Sequence, residues 1–283
     1  MPSFTTKAGY SLAYDLAGSG PLVILTPGGR EGRAGIRSLI DAMLAEKFTV
    51  LSWDRCNGGE SEVYFGGAPL AEAEIWADDL ADLVAHIGLG PAWIVGGSGG
   101  CRTSVAAVLR RPEAAKGMIV WSASGGEFAS QFLGFQYHVP YIVAAHRGGM
   151  QAVADGPYWS DRTSANPANR DRLLAVDPQD FIATMKRWMS MFYHRADCTL
   201  IGATDAQLAT IAMPTLVFEG NDDVHPKFVS DAMARLIPGA TYLPSPWTGE
   251  EFVGRFSGRI AKPVMELYPS LVPHIGQFIR AHE

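Results

Sequence analysis

A serine flanked by glycines is the strongest chemical signal in this sequence. The segment Gly96–Gly100 reads G-G-S-G-G and lies between an apolar run and a helical pattern. In a sharp strand-to-helix turn the central serine adopts a strained backbone, and glycine is needed two residues before and two residues after it. The serine hydroxyl then projects at a helix N-terminus, whose positive end favours a developing oxyanion. We therefore predict that Ser98 is a nucleophile that attacks a carbonyl group.

The rest of the chain alternates short apolar runs with longer helical patterns. Predicted strands lie near Phe4 and at Ser11–Leu16, Leu22–Thr26, Phe48–Trp53, Trp93–Gly96, Met118–Ser122, Thr215–Glu219 and Thr241–Leu243. Predicted helices lie at Ala34–Lys47, Ala71–Ile87, Gly99–Arg111, Lys227–Ile237 and Leu271–Ala281. Near-continuous apolar strands that alternate with helices are typical of a parallel sheet covered on both faces. The predicted fold class is α/β, with a mostly parallel twisted sheet.

One long interval breaks this rhythm. It shows helical spacing without a convincing strand, so we predict an inserted helical lid at 127–211 and a core made of 1–126 and 212–283. Within the lid, a stripe of Met and aromatic residues repeats at helical spacing between Phe181 and Phe192. Such a stripe either packs between helices or lines an apolar pocket. On the second interpretation, Trp188 and Met189 contact the substrate.

Three further motifs, together with the serine turn, resemble those of the α/β-hydrolase family over nearly the whole chain. T-P-G-G-R at Thr26–Arg30 sits where that family has H-G-G-x after its third strand. D-R-C-N-G-G-E-S at Asp54–Ser61 resembles its D-x-R-x-x-G-x-S segment, and E-G-N-D-D-V-H-P at Glu219–Pro226 resembles its acid loop. The resemblance implies that the backbone N–H groups of Gly29 and Gly99 form the oxyanion hole.

The acid of the predicted catalytic triad has two candidates in this loop. Counting back from Pro226 selects Asp222, and counting forward from Gly220 selects Asp223. We favour Asp222, because G-N-D-x-x-H-P is a recurring form of the loop in the family. The alternative role for either carboxylate is to cap the helix that follows.

The family's general base is missing from its usual place. A serine nucleophile needs a base to take its proton, and the family places this histidine just after the eighth strand. Here that region, Tyr242–Arg255, contains no histidine. His225 is the best-positioned alternative, although a local hydrogen bond to the backbone would also explain it. The other candidates are His274, the lid residues His138, His146 and His194, and a shared role for Glu250 or Glu251. We expect His86 to be packed or solvated on its helix and His282 to lie in a frayed terminal turn.

Two classes of function follow from these motifs. If the base has moved, the protein is an enzyme that acts through Ser98 on a small, largely apolar ester, lactone or cleavable ketone. If Ser98 is not a conventional nucleophile, the protein is a non-catalytic ligand-binding protein, a lyase or a cofactor-free enzyme on the same fold. The retained serine turn, glycine loop and acid loop favour the hydrolytic enzyme.

Arginines near the predicted site suggest one refinement. Arg30 follows the oxyanion glycines, and Arg33 and Arg55 lie close by in the sequence. Because a guanidinium fork matches a carboxylate, Arg30 is a candidate substrate-binding residue. The alternative is that these arginines form ion pairs with neighbouring acidic residues.

Composition narrows the remaining possibilities. The 283 residues carry a formal charge of −6 without a basic block, which argues against nucleic acid as a partner. The longest apolar runs are too short for a membrane span, and the chain shows neither metal-ligand spacing nor a cofactor motif. The start lacks a secretory pattern, and Cys56, Cys101 and Cys198 are widely spaced. We therefore expect a cytoplasmic protein that acts on a small-molecule substrate without nucleic-acid or membrane partners, with a homodimer as a candidate assembly.

Overall fold

A computed structural model describes residues 2–283, and its eight strands form one sheet. The strands are β1 (Ser3–Thr5), β2 (Ser11–Ala17), β3 (Leu22–Thr26), β4 (Thr49–Trp53), β5 (Ala92–Gly97), β6 (Ala115–Trp121), β7 (Thr215–Phe218) and β8 (Thr241–Leu243). Their order is β1-β2-β4-β3-β5-β6-β7-β8. Strand β2 pairs antiparallel with both β1 and β4, and every pair from β4 to β8 is parallel. The predicted mostly parallel α/β sheet is confirmed.

Eleven α-helices accompany the sheet within the described residues. They are α1 (Arg37–Ala45), α2 (Glu72–Ile87), α3 (Gly99–Arg110), α4 (Gly126–Ala154), α5 (Pro157–Ala165), α6 (Ala168–Leu174), α7 (Pro178–Met189), α8 (Asp205–Leu208), α9 (Lys227–Leu236), α10 (Gly249–Phe256) and α11 (Val272–His282). Short 3₁₀ helices cover Arg33–Ile36, Pro112–Ala114, Ser190–Phe192 and Val264–Leu271. Between residues 2 and 283, none of the helices combines the length and the apolar character needed to cross a bilayer.

The central strands are buried on both faces, which explains their continuous apolar sequence. Every residue of β3, β4 and β5 is buried. Along β3, Ile24 joins a core that includes residues of α2 and α3, whereas Val23 and Leu25 join a core that includes residues of α1 and α11. This alternation follows from the two-residue repeat of a strand. The carboxyl ends of the parallel strands therefore meet at one edge of a rigid, well-packed sheet.

The chain between β6 and β7 forms helices α4 to α8, in the interval where the lid is predicted. Helix α4 is long and interrupted, with non-helical backbone at Gly148 and Gly149 and a proline at position 140. Helix α7 packs against α4. Buried residues of α7, including Phe181 and Met185, share one hydrophobic cluster with the sheet. These inserted helices are thus packed on the core and do not extend away from it.

Helix α10 is an element that the sequence prediction missed. It follows β8, in the region where the family's general base is expected. The Thr248 side chain caps it by accepting a hydrogen bond from the backbone N–H of Glu251, at 3.1 Å. A Thr followed three residues later by Glu is a known signature of a helix start, so T-G-E-E was a readable signal for α10.

Candidate active site

Ser98 occupies a strained turn at the carboxyl end of β5. Its φ of 52° lies in the left-handed region that non-glycine residues seldom adopt. The turn is held by a hydrogen bond from Ser98 N–H to the carbonyl of Trp121, at 3.1 Å. A Cβ on Gly96 would lie only 2.5 Å from the carbonyl oxygen of Gly100, and a Cβ on Gly100 would collide with the carbonyl of Thr26. The glycine spacing of the motif thus has the steric cause that its pattern predicted.

His225 and Asp222 lie in the turn between β7 and α9 and reach the serine. Nε2 of His225 is 2.9 Å from Oγ of Ser98, and Nδ1 of His225 is 2.8 Å from Oδ2 of Asp222. The other carboxylate oxygen, Oδ1, accepts hydrogen bonds from the backbone N–H groups of Val224 and His225, at 2.9 and 3.0 Å. The His225 and Asp222 side chains are only 8% and 6% exposed. The three groups form a continuous Ser–His–Asp chain of hydrogen bonds with the spacing that nucleophilic catalysis requires.

The electrostatics of Asp222 suit this arrangement. Burial acts to raise the pKa of the carboxyl group, but the hydrogen bonds and charge of His225 and the backbone N–H groups outweigh it. The pKa of Asp222 therefore lies below its usual value. An ionised carboxylate accepts a hydrogen bond from Nδ1–H of His225, and this tautomer leaves Nε2 able to accept the serine proton.

The competing candidates for acid and base form no hydrogen bond with Ser98 or His225 in the described residues, although Asp223 also lies on the wall of the cavity that contains Ser98. Asp223 is exposed, and its side chain has no hydrogen bond within residues 2–283. Glu251 forms an ion pair with Arg255 at 2.7 Å. Glu250 is exposed on α10 and does not line the cavity beside Ser98. Among the other histidines, the exposed His274 packs against Phe218. In α10, the helix that follows β8, the ring of Phe252 meets the ring of His225 edge-on at 5.8 Å.

Two backbone amides converge beside the serine. Gly29, which has a φ of 47°, approaches Gly99 so closely that a Cβ on Gly99 would lie 2.5 Å from the Gly29 carbonyl oxygen and 2.8 Å from its nitrogen. Neither the Gly29 N–H nor the Gly99 N–H donates a hydrogen bond to any acceptor in the described part of the chain. Gly99 also begins α3, where unpaired N–H groups and the helix dipole favour negative charge. The pair can therefore bind an oxyanion.

These groups open into a cavity of about 480 Å³ between the sheet edge and α4. Ser98, His225 and Gly29 lie on its wall. Much of the remaining wall is apolar and includes Phe128, Phe132, Phe252, Phe256, Val264 and Tyr268. The rings of Phe128 and Phe132 stack at 5.7 Å, as do those of Phe252 and Phe256 at 6.3 Å. A cavity of this size and lining fits a small, largely apolar molecule.

Of the three predicted substrate-binding residues, only Arg30 lines this cavity. Arg30 is nevertheless 6% exposed and forms an ion pair with Glu72 at 2.7 Å, so its charge is already matched. Arg33 likewise forms ion pairs with acidic residues, including Asp54. The interpretation of these arginines as ion-pair partners therefore holds for both.

Trp188 and Met189 do not lie on the cavity wall, which corrects the prediction that they contact the substrate. Trp188 is 1% exposed, and its ring stacks on Phe65 at a centroid distance of 6.0 Å. Met189 lies beside Gly134 of α4. The Met and aromatic residues of α7 pack against neighbouring elements and not against the cavity. The amphipathic face of a short helix is buried against the nearest apolar surface.

Between positions 2 and 283, no group of three or more His, Cys, Asp and Glu residues is placed to hold a metal ion. Cys56 and Cys101 are buried, and burial raises the pKa of both thiols. Neither cysteine therefore has the low pKa typical of a reactive thiol.

Comparison with known proteins agrees with this architecture. No known family profile matches the chain. The mouse protein named serine hydrolase BPHL is 22% identical over 236 residues, which cover 82% of this chain and 74% of the mouse protein.

Solved structures match nearly the full chain. A hydrolase from Pseudomonas aeruginosa PA01 aligns with a TM-score of 0.63 and 21% identity, over 97% of this chain and 98% of that one. A thermophilic esterase from Thermogutta terrifontis aligns with a TM-score of 0.62 and 22% identity, over 99% and 96%. The enol-lactonase from Burkholderia xenovorans LB400 aligns with a TM-score of 0.59 and 18% identity, over 99% and 100%. The chain has the α/β-hydrolase fold, as its motifs indicated.

Proposed function

We propose that this protein is a serine hydrolase that cleaves a small, largely apolar ester or lactone, or a ketone at a C–C bond, through Ser98. The observation that carries the proposal is the placement of His225 between Oγ of Ser98 and Oδ2 of Asp222, at 2.9 and 2.8 Å. Both distances lie within the range needed for proton transfer and for orientation of the base. In this proposal His225 replaces the histidine that the family carries after its eighth strand.

The first half of the reaction forms an acyl-enzyme. Oγ of Ser98 attacks the substrate carbonyl carbon while its proton passes to Nε2 of His225, and Asp222 stabilises the resulting imidazolium. The carbonyl oxygen becomes an oxyanion held by the N–H groups of Gly29 and Gly99. When the tetrahedral intermediate collapses, the bond to the leaving group breaks, and His225 returns its proton to that group.

The second half releases the acid. A water molecule gives a proton to Nε2 of His225 and attacks the acyl carbon, so that a second oxyanion forms in the same place. Its collapse breaks the bond to Oγ, and the imidazolium returns the proton to Ser98. For a ketone substrate the leaving group is a carbanion, which His225 protonates at carbon in the first half.

The cavity supports the apolar substrate class. The paired rings of Phe128 with Phe132 and of Phe252 with Phe256 flank the entrance, and Phe128 and Phe256 remain 57% and 66% exposed. Exposed aromatic surface beside a nucleophile gains favourable burial when an apolar acyl or alkyl group covers it. Two of the structural neighbours are named as an esterase and an enol-lactonase, so their names state an ester and a lactone as the bonds they cleave.

The lid is part of this proposal. Residues of α4, among them Phe128 and Phe132, share the cavity wall with Gly29 and Ser98 of the core. We therefore assign 127–211 as the lid and 1–126 with 212–283 as the core. In this arrangement the lid selects the apolar part of the substrate and covers the site where the acyl-enzyme forms. A homodimer and a cytoplasmic location stay predictions.

Covalent labelling with a fluorophosphonate probe tests the mechanism. We expect labelling of one site, located at Ser98 by peptide mass spectrometry, and turnover of short p-nitrophenyl esters that Ser98→Ala abolishes. Ser104→Ala is a matched control, because Ser104 is a buried serine on α3, the helix that begins directly after Ser98, and it does not line the cavity. An unlabelled protein that still binds apolar ligands would favour a binding protein. Turnover that survives Ser98→Ala would favour a lyase or a cofactor-free enzyme.

A further inference from the structure

Arg30 connects the oxyanion loop to helix α4. It directly follows Gly29, and its guanidinium forms an ion pair with Glu72 at 2.7 Å. The same guanidinium donates a hydrogen bond from Nη1 to the backbone carbonyl of Tyr137, at 2.8 Å, and lies 3.3 Å from Nε2 of His138. A planar fork with several donors can hold such a set of partners in fixed directions. Arg30 therefore fixes this turn of α4 against the loop that carries Gly29.

The turn that Arg30 holds places the Tyr137 hydroxyl beside the oxyanion hole. The hydroxyl oxygen lies 3.5 Å from the position that a Cβ on Gly29 would occupy. The Tyr137 ring is packed edge-on against Phe192 at 6.0 Å, and the Arg30 guanidinium lies 5.4 Å from the ring centroid. These two contacts restrict the motion of the Tyr137 side chain.

The Tyr137 hydroxyl is available for a ligand. Within residues 2–283 it has no hydrogen-bond partner, and Tyr137 lies on the wall of the cavity that contains Ser98. A phenolic hydroxyl can donate one hydrogen bond. A donor that is already oriented toward a developing negative charge stabilises that charge without reorganisation during the reaction.

We propose that Tyr137 is a third donor to the oxyanion, in addition to the N–H groups of Gly29 and Gly99, and that Arg30 is the positioning residue that holds it there. This inference rests on the proposed serine hydrolase function. The phenolic proton stays on Tyr137 throughout, because the hydroxyl donates a hydrogen bond and transfers no proton. The lid therefore contributes directly to catalysis as well as to the binding of the apolar group.

The test compares Tyr137→Phe with Tyr141→Phe. Tyr141 provides a matched control, because it lies on the same helix and the same cavity wall, and its hydroxyl also lacks a partner in the described residues. The Tyr141 hydroxyl does not lie within 4 Å of the position that a Cβ on Gly29 would occupy. For Tyr137→Phe we expect kcat for p-nitrophenyl esters to fall about 10- to 100-fold, at or below the lower limit of the roughly 100- to 1,000-fold that an oxyanion donor contributes, with KM changed less than about twofold. For Tyr141→Phe, which shares the cavity wall but whose hydroxyl does not approach Gly29, we expect a several-fold smaller loss of kcat than for Tyr137→Phe.

A trifluoromethyl ketone provides a readout that a purely structural role would not alter. Addition of Ser98 to this inhibitor creates an oxyanion, so its affinity should fall in Tyr137→Phe by the same factor as kcat/KM. Arg30→Lys keeps a positive charge near Glu72 but loses the fork that holds Tyr137. Its kcat should fall, and the double variant with Tyr137→Phe should lose little more than either single variant, as expected for coupled residues.

The outcomes separate this inference from the proposed function. If the wild-type protein has Ser98-dependent turnover and Tyr137→Phe retains its kcat and its inhibitor affinity, the role of Tyr137 is refuted and the serine mechanism stands. A loss confined to KM would also refute it, because it would make Tyr137 a ground-state binding residue. Absence of Ser98-dependent turnover in the wild-type protein would overturn both proposals.

Discussion

Replacing Asp222 by Asn should stop turnover while leaving the fold in place. Oδ1 of Asp222 accepts two backbone hydrogen bonds, from Val224 and His225, and the oxygen of an asparagine amide can keep both. The amide NH₂ would then face Nδ1 of His225, where Oδ2 lies now at 2.8 Å. Because an NH₂ group donates, Nδ1 must become an acceptor, and the ring proton moves to Nε2. His225 would then present N–H to Oγ of Ser98 and could not accept the serine proton.

The size of the effect follows from this tautomer change. In a serine protease with a Ser–His–Asp triad, the corresponding Asp-to-Asn change lowers kcat by about 10⁴-fold. We expect a loss of about 10³- to 10⁴-fold here, equivalent to roughly 4–5.5 kcal/mol in the activation free energy. The midpoint of thermal unfolding should change by only a few degrees, because the two backbone hydrogen bonds persist.

Asp223→Asn is the matched control, since this neighbouring carboxylate is exposed and has no hydrogen bond in residues 2–283. The assay is the steady-state kcat for a p-nitrophenyl ester, with circular dichroism to compare folding of the two variants. We expect Asp223→Asn to keep kcat within about threefold. Equal losses in both variants, or more than a tenth of wild-type kcat in Asp222→Asn, would refute the assignment of Asp222 as the residue that orients His225.

Three other predictions address the oxyanion hole, the pH dependence of stability and the cavity. Gly99→Ala should lower kcat at least about 100-fold, because its Cβ would lie 2.5 Å from the carbonyl oxygen of Gly29 and push the two donor segments apart. Unimpaired ester hydrolysis by this variant would contradict the proposed donor pair. Burial raises the pKa of Asp79 to about 7, although Tyr10 donates a 2.6 Å hydrogen bond to it. The folded state therefore holds a proton that the unfolded state gives up, and stability should fall as pH rises from about 4 to 7, by at most about 4 kcal/mol. Urea unfolding at pH 5 and 8 should show a smaller decline for Asp79→Asn, and an equal decline in both proteins would rule out this carboxyl as the cause. Phe256→Ala should raise KM for long-chain esters about 3- to 10-fold with kcat unchanged, since an exposed apolar contact at the cavity entrance is lost. An unaltered chain-length profile would remove Phe256 from the substrate site.

Much of the fold could be predicted because its causes are local. Apolar runs such as Leu22–Thr26 must be buried on both faces, and they are. The glycines around Ser98 are required by the turn itself, so their spacing reveals the backbone before any tertiary contact is known. Boundaries were less accurate. The helix predicted at Ala34–Lys47 begins with a 3₁₀ segment and ends at Ala45, because helix ends depend on capping and packing.

The candidate site was only partly visible in the sequence. The pattern placed Asp222 and His225 in one loop and left open whether His225 bonds locally or reaches the serine. In the structure Asp222 makes the local bonds to the backbone, and the His225 ring spans from Asp222 to Ser98. A side-chain direction across 127 positions is set by how β5 and β7 are spaced in the sheet, which local periodicity does not encode.

The dependence on contacts between distant segments also explains where the other predicted substrate-binding residues lie. The sequence by itself determined that Trp188 belongs to an apolar helical face and that Arg30 follows the oxyanion glycines. Only the tertiary structure decided that Trp188 on this face packs against Phe65. It likewise decided that Arg30 forms an ion pair with Glu72 and donates a hydrogen bond to the Tyr137 carbonyl. Residue types and spacing specify which groups can react or pack. Their partners depend on contacts between distant segments, which form only when the sheet and the inserted helices come together.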